Sequence, residues 1–257
     1  MEKFVEQGLH VATRDEACPL HGTYVSSCLT VGTRPLPWST CPTCARLQSA
    51  QMEREARCVD LTERQRRLET RLQKSGIPRR YREKGFAAFQ TTCAAEERAL
   101  GIAQHYATNF QRHAKRGATL VFAGAPGTGK SHLALATAME VMKTDTVLYL
   151  CALDLIRAVR DTWRQGAPRS ESDVLRELSE VGLLIIDEVG MQYGSDSERM
   201  TLFDVIDKRY RDLMPMILVS NLNRNDMKKL LGERSFDRLR ECATWVVFDW
   251  QSRRGET

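Results

Sequence analysis

Apolar and polar positions follow two different grammars along this chain. From residue 119 onward, short apolar runs take turns with stretches of helical period. TLVFAGA (119–125), TVLYLCA (146–152), GLLIIDEV (182–189), MPMILVSN (214–221) and TWVVFDW (244–250) read as strands. SHLALATAMEVM (131–142), LDLIRAVRDTW (153–163), SERMTLFDVIDKRYRD (197–212) and RSFDRLRE (234–241) read as helices. The run at 182–189 is apolar up to its acidic end, as expected of a strand covered on both faces. Strands alternating with helices predict an α/β fold with a parallel sheet covered by helices. No internal repeat interrupts the pattern.

The first 75 residues obey other rules. Residues 1–44 lack helical period and are rich in Cys, Pro, Gly, Ser and Thr. Residues 45–75 contain no Gly or Pro and many good helix formers, so a helix is predicted there, stopped by Gly76 and Pro78. Its sparse apolar positions, Leu47, Met52, Leu61, Leu68 and Leu72, do not hold a heptad. A solvated basic linker is therefore favoured over a dimerising coiled coil. The expected organisation is a small N-terminal domain (1–44), a linker helix (45–75) and a main domain (76–257).

Composition narrows the classes. With 257 residues, 42% apolar and 28% charged, the chain has enough apolar side chains for a core. No run approaches the roughly 18–20 apolar residues of a membrane span. The start, MEKFVEQGLH, lacks the layout of an export signal, so a cytoplasmic location with reduced thiols is expected. A net charge of +5 permits contact with nucleic-acid phosphates without requiring it.

Gly124-Ala125-Pro126-Gly127-Thr128-Gly129-Lys130-Ser131 satisfies G-x-x-x-x-G-K-[ST], between a strand and a helix opened by His132 and its neighbours. Glycines let successive N–H groups turn inward around phosphates, and the following helix offers its positive end to the same anion. Lys130 adds a full charge at the β/γ-phosphates, and Ser131 is a magnesium ligand by type. LLIIDE (183–188) delivers two carboxylates at a strand's C-terminal end, where ligands bind in such sheets. Asp187 is expected to hold magnesium and Glu188 to act on the attacking water. Ser220 and Asn221 end another strand, where an amide can orient that water or contact the γ-phosphate.

Together GAPGTGKSHLA, LLIIDEVG, ILVSNLN and LLGERSFDRLRE, in this order, resemble the helicase-loader ATPases of the DnaC/IstB type, a branch of the AAA+ superfamily. The resemblance spans about residues 76–257 and includes the lead-in SGIPRRYREKGFAAF (75–89). It implies an ATP- and magnesium-dependent ATPase that assembles with copies of itself. It implies that Arg234, in GER, is an arginine finger reaching a neighbour's γ-phosphate, with Arg238 a second candidate. It implies that Arg254 is a sensor arginine, beside Arg253. In relatives, the loop after the acidic strand contacts single-stranded DNA. Here that loop is GMQYGSDSER (190–199), where Tyr193, Ser195 and Ser197 suit DNA while Asp196 and Glu198 oppose it.

Cysteines cluster at the N-terminus: Cys18, Cys28, Cys41, Cys44 and Cys58. Cys18-Pro-Leu-His21 and Cys41-Pro-Thr-Cys44 are two knuckles with zinc-ligand spacing, and together they give a Cys₃His set, with Cys28 an alternative ligand. A segment this poor in large apolar residues needs such a staple. A similar leader occurs in some phage and prophage members of the resembling family. In those loaders the N-terminal part grips a replicative DnaB-type helicase, so residues 1–75 are expected to bind that partner. Residues 45–84 carry twice as many basic as acidic side chains, which leaves nucleic-acid contact open. The expected function is ATP-dependent loading of a ring-shaped helicase in DNA replication. The alternatives are a transposition helper ATPase and a zinc-dependent DNA-binding nucleotide switch.

Overall fold

The computed structural model describes residues 9–32, 34–191 and 196–253, leaving aside the side chains of residues 9, 58–62 and 64. The chain divides into two compact units, Met1–Arg66 and Arg67–Thr257.

In the first unit, β1 (Leu9–Cys18) and β2 (Gly22–Val31) pair antiparallel from Leu9↔Val31 to Cys18↔Gly22, and β3 (Arg34–Pro35) adds a short edge. The returning segment is fastened by backbone and hydroxyl groups. Ser39 N donates to the Ser27 carbonyl and Ser27 N to Ser39 Oγ, both at 2.8 Å. Val11, Leu20, Val25 and Val31 stay exposed, so the sheet has no apolar face of its own. Helix α1 (Pro42–Lys74) begins three residues earlier than the sequence pattern suggests, with Pro42 at a position where a missing N–H costs nothing. Its last turns belong to the second unit, where Leu68 and Leu72 pack on the core and Arg71 Nη1 donates to the Met142 carbonyl at 2.8 Å.

The second unit continues with α2 (Ala94–Thr108), α3 (Phe110–Ala114), β4 (Thr119–Gly124), α4 (Lys130–Val141), β5 (Val147–Cys151), α5 (Ala152–Asp161), α6 (Glu171–Glu180), β6 (Leu183–Val189), α7 (Asp196–Arg211), β7 (Met216–Ser220), α8 (Arg224–Cys242) and β8 (Ala243–Phe248). The strands form one parallel sheet in the order β5-β6-β7-β4-β8. Successive side chains on each strand serve opposite faces. Leu120, Phe122, Leu183, Ile185, Ile217 and Val219 pack with α2 and α4 on one side. Val121, Leu184, Ile186, Met216 and Leu218 pack with α5, α6, α7 and α8 on the other. The fully buried Arg209 on α7 donates to the carbonyls of Leu178, Ser179, Val181, Gly182 and Pro215, tying the turn before β6 to the turn before β7. Its burial pushes the guanidinium pKa down to about 9.

The sequence pattern misses α2 and α6. Both open with polar signals that can be read: Cys93 caps α2 with Glu96 reaching back, and Ser170 caps α6 with Asp173 doing the same. Residues 224–242 form one helical run broken at Gly232 (φ 76°), so the expected helix at 234–241 is its second half. No helix among the described residues is long and apolar enough to cross a membrane.

Candidate functional site

The glycine-rich loop follows β4 and leads into α4. Gly127 (φ 82°) and Gly129 (φ 92°) hold left-handed angles, and a Cβ on Gly129 would stand 2.6 Å from the Phe89 ring. Lys130 is the first residue of α4, is buried, and donates through Nζ to the carbonyls of Gly124 (2.8 Å) and Ala125 (2.6 Å). Thr128 Oγ1 returns to the Ala125 carbonyl at 2.8 Å and so pins the loop on itself.

Opposite lies the end of β6. Its register against β7 shifts between Ile186↔Leu218 and Val189↔Ser220, a bulge holding Asp187 and Glu188. Glu188 adopts a left-handed φ of 57°, a conformation that costs a non-glycine residue energy and clusters at working sites. The bulge turns Glu188 outward while Asp187 is only 4% exposed. Asp187 accepts from Tyr149 Oη at 2.9 Å and from the Glu188 N–H at 2.7 Å. Tyr149 escapes the sequence reading because it sits inside an apolar run. Burial and the neighbouring Asp187 hold its hydroxyl protonated far above the usual range. Burial pushes the neighbouring Cys151 thiol up to about 11, with Glu188 next among the causes.

These elements enclose one cavity of about 380 Å³. Pro126, Gly127, Gly129, Lys130, Ser131 and His132 line it with Asp187, Glu188, Ser220, Asn221 and Tyr81. Ser220 is committed to structure: its hydroxyl donates to the Val189 carbonyl and accepts from Leu222 N at 3.0 Å, leaving Asn221 as the amide beside the acid pair. Tyr81 comes from the lead-in segment, whose Ile77 and Phe89 are buried. His132 faces the same segment, 3.2 Å from the Gly85 carbonyl, and burial lowers its pKa.

The arginines differ in their surroundings. Arg234 is exposed just past the Gly232 break, with its guanidinium 5.6 Å from the Phe203 ring centre. Arg238 is half-buried, ion-paired with Asp207 and laid over Phe203 and Tyr210. That pairing within its own chain leaves Arg238 a weaker candidate than Arg234 for reaching a neighbour. Arg254, Tyr193 and Ser195 lie outside the described residues. Ser197 lies in the first turn of α7, its carbonyl accepting from Thr201 Oγ1 at 2.9 Å, and Glu198 pairs with Arg160. Arg253, unnoticed as a contact in the sequence, runs back onto the loop. Its N–H donates to the Gly127 carbonyl at 3.1 Å and its guanidinium pairs with the buried Glu96 at 2.6 Å. Trp250 Nε1 donates to the Thr128 carbonyl at 3.0 Å.

A second constellation sits in the first unit. Cys18 ends β1, His21 lies in the hairpin turn, and Cys41 and Cys44 flank the start of α1. Their ligating atoms all lie within 4.8 Å of one another, a group able to hold one metal ion. Sγ of Cys18 is 3.6 Å from that of Cys44, and His21 Nδ1 is 3.6, 3.7 and 3.3 Å from the three sulfurs in order. The Leu20 N–H lowers the Cys18 thiol pKa and the Cys44 N–H that of Cys41, as expected where backbone donors stabilise thiolates. Cys28 stays outside the group, donating to the Leu36 carbonyl at 3.0 Å.

A glycine-rich loop after β4, an acid pair on β6 and an amide just past the strand between them, in the order β5-β6-β7-β4-β8, define a P-loop nucleotide-binding fold. The chain belongs to the family described as IstB-like ATP binding protein, which matches residues 51–243. It is 34% identical over 210 residues to the replicative helicase loader DnaC of Escherichia coli K12, covering 81% of each chain. It is also 34% identical over 204 residues to the uncharacterized protein YdaV of the same strain, covering 78% of this chain and 80% of that one. The fold is similar to the crystal structure of the DnaC helicase loader, with a TM-score of 0.60 at 24% identity over 66% of this chain and 99% of the other. The DnaI structure is comparable, at TM-score 0.58 and 18% identity over 70% and 95%.

Proposed function

We propose that this protein loads a ring-shaped replicative DNA helicase at the expense of ATP. The observation that carries the reading is the match to DnaC over 81% of both chains, together with Lys130, Ser131, Asp187, Glu188 and Asn221 lining one cavity. In this reading the loop N–H groups and Lys130 bind the phosphates of ATP. Ser131 and Asp187 would hold magnesium, which when bound offsets phosphate charge. Glu188, turned outward by the bulge, takes a proton from the attacking water, and Asn221 orients that water. Arg234, exposed past a helix break, completes the site of a neighbouring copy, as suits a transition state whose charge spreads over phosphoryl oxygens. Arg254 would add a sensor contact.

Zinc is the ion the Cys/His group fits best. Three sulfurs and one imidazole are a zinc donor set. Bonds of about 2.3 Å in a tetrahedron separate sulfurs by about 3.8 Å, close to the 3.6 Å between Cys18 and Cys44. This zinc-bound N-terminal unit is the part that grips the helicase, and single-stranded DNA is the second partner. The test is capture of a purified DnaB-type helicase by the intact protein, with and without ATP. Capture by the wild type and its loss in Cys41→Ser support the reading. Absence of capture, with stimulation of a transposase instead, would favour the transposition helper.

A further inference from the structure

We infer that Tyr149 is a positioning residue for the magnesium site: its hydroxyl fixes the Asp187 carboxylate in the orientation that holds the metal. The inference rests on the reading of the cavity as a magnesium–ATP site. Asp187 is almost entirely buried, so its carboxylate has few partners to choose from. One oxygen accepts from Tyr149 Oη (2.9 Å), and the other accepts from the Glu188 N–H (2.7 Å) inside the bulge. With each oxygen carrying one directed bond, the plane of the carboxylate is set. Each oxygen still has a lone pair for a further ligand.

Strand register explains how the ring arrives there. Cys151 is the partner of Asp187 and Tyr149 that of Ile185, so Tyr149 lies two residues back on the same face as Cys151. A short side chain at 149 would leave the carboxylate with the bulge amide alone; the phenol is long enough to close the gap. The Tyr149 backbone is itself held from the side. Its N–H donates to the Ser75 carbonyl at 2.7 Å, and Gly76 (φ 71°) packs so closely that a Cβ there would stand 2.3 Å from the Tyr149 carbonyl oxygen. The lead-in segment thus fixes the strand position from which the hydroxyl reaches Asp187. Partners of this kind behind a metal ligand typically change metal affinity 10–100-fold when removed.

The test uses the intact protein and reads nucleotide affinity rather than turnover. Binding of a fluorescent ATP analogue is titrated against Mg²⁺ for the wild type, Tyr149→Phe, Asp187→Asn and the double variant, with melting curves recorded alongside. Tyr149→Phe keeps the ring and removes only the donor. It should raise the Mg²⁺ concentration for half-maximal tightening about 10-fold and leave affinity in EDTA unchanged. In the Asp187→Asn background the same change should add nothing, because the two groups act as one unit. An unchanged Mg²⁺ midpoint, or an equal loss of affinity with and without Mg²⁺, overturns the assignment. A wild type whose affinity ignores Mg²⁺ overturns it too. Helicase capture, measured separately, reports on the loader reading.

Discussion

The two units of this chain reach a fixed structure by opposite routes. The unit from Arg67 onward is built around a sheet whose two faces are each filled by apolar side chains, so burial alone accounts for its order. The first unit has no such core among its described residues. Leu20 is 81% exposed, Val11 63% and Val25 61%, while what is buried is Ser26, Cys28 and Cys41. Its four donors instead converge to within 4.8 Å of one another. Under the zinc reading proposed above, each unit is fragile in a different place: the second to cavities and strain in its core, the first to loss of its metal.

The largest expected effect follows from that contrast. Structural zinc contributes on the order of 10–16 kcal/mol in small domains. Chelation, or Cys41→Ser, should therefore unfold the first unit and expose it to protease, while nucleotide affinity stays within a few-fold of wild type. Metal analysis should find about one zinc per chain. A metal-free protein with a protease-resistant N-terminus would erase the contrast.

The next effect tests whether the second unit is complete in one copy. If Arg234 works on a neighbour, Arg234→Ala should retain ATP affinity and lose roughly 10³-fold or more in turnover. Lys130→Ala should instead lose binding. Mixing the two inactive variants should restore part of the activity, because a mixed interface joins an intact cradle to an intact finger. No recovery, where the two are shown to co-assemble, would make Arg234 a residue of its own chain only.

Within the cradle, Glu188→Gln keeps the shape of the bulge and removes the base. Hydrolysis should fall roughly 10²–10⁴-fold with binding preserved, as measured by phosphate release against analogue affinity. Wild-type turnover in Glu188→Gln would remove Glu188 from the chemistry.

The smallest effect is on pH. His113 and His132 both have folded pKa values below the ordinary 6.5, with burial the first cause. The unfolded chain then takes up protons that the folded chain refuses. Stability from these groups is present in full above about pH 6.5 and is lost as pH falls toward the folded values. Thermal melts of the second unit from pH 7.5 to 5.5 should show a modest decline, and His132→Gln should reduce it. A decline of the same size in His132→Gln and His113→Gln would assign it elsewhere.

How far the sequence could be read differs between the units for the same physical reason. Apolar runs mark β4, β6 and β7 because those strands are buried on both faces. The phosphate loop and the acid pair are legible because their chemistry demands fixed residue types. The hairpin β1–β2 leaves no comparable mark: residues 10–18 of β1 meet solvent on both faces, so no alternation is imposed on them. Tyr149 was hidden for the opposite reason. In a run of apolar residues its ring reads as core, and only the neighbouring strand's Asp187 gives its hydroxyl a purpose. The contacts of Trp250 and Arg253 with the phosphate loop join residues far apart in the chain, which no local pattern records. Cys28 matched the ligand type but not the place, since β2 spends it on the Leu36 carbonyl.

Helicase loading is measured most directly as transfer of a purified ring helicase onto circular single-stranded DNA, which has no end to thread. With wild-type protein and ATP, helicase should appear on the circle and unwind an annealed strand. Glu188→Gln should bind the helicase yet fail to release it for unwinding. If helicase reaches the circle equally well without this protein, or if Glu188→Gln supports unwinding at the wild-type rate, the account of an ATP-driven loader is contradicted.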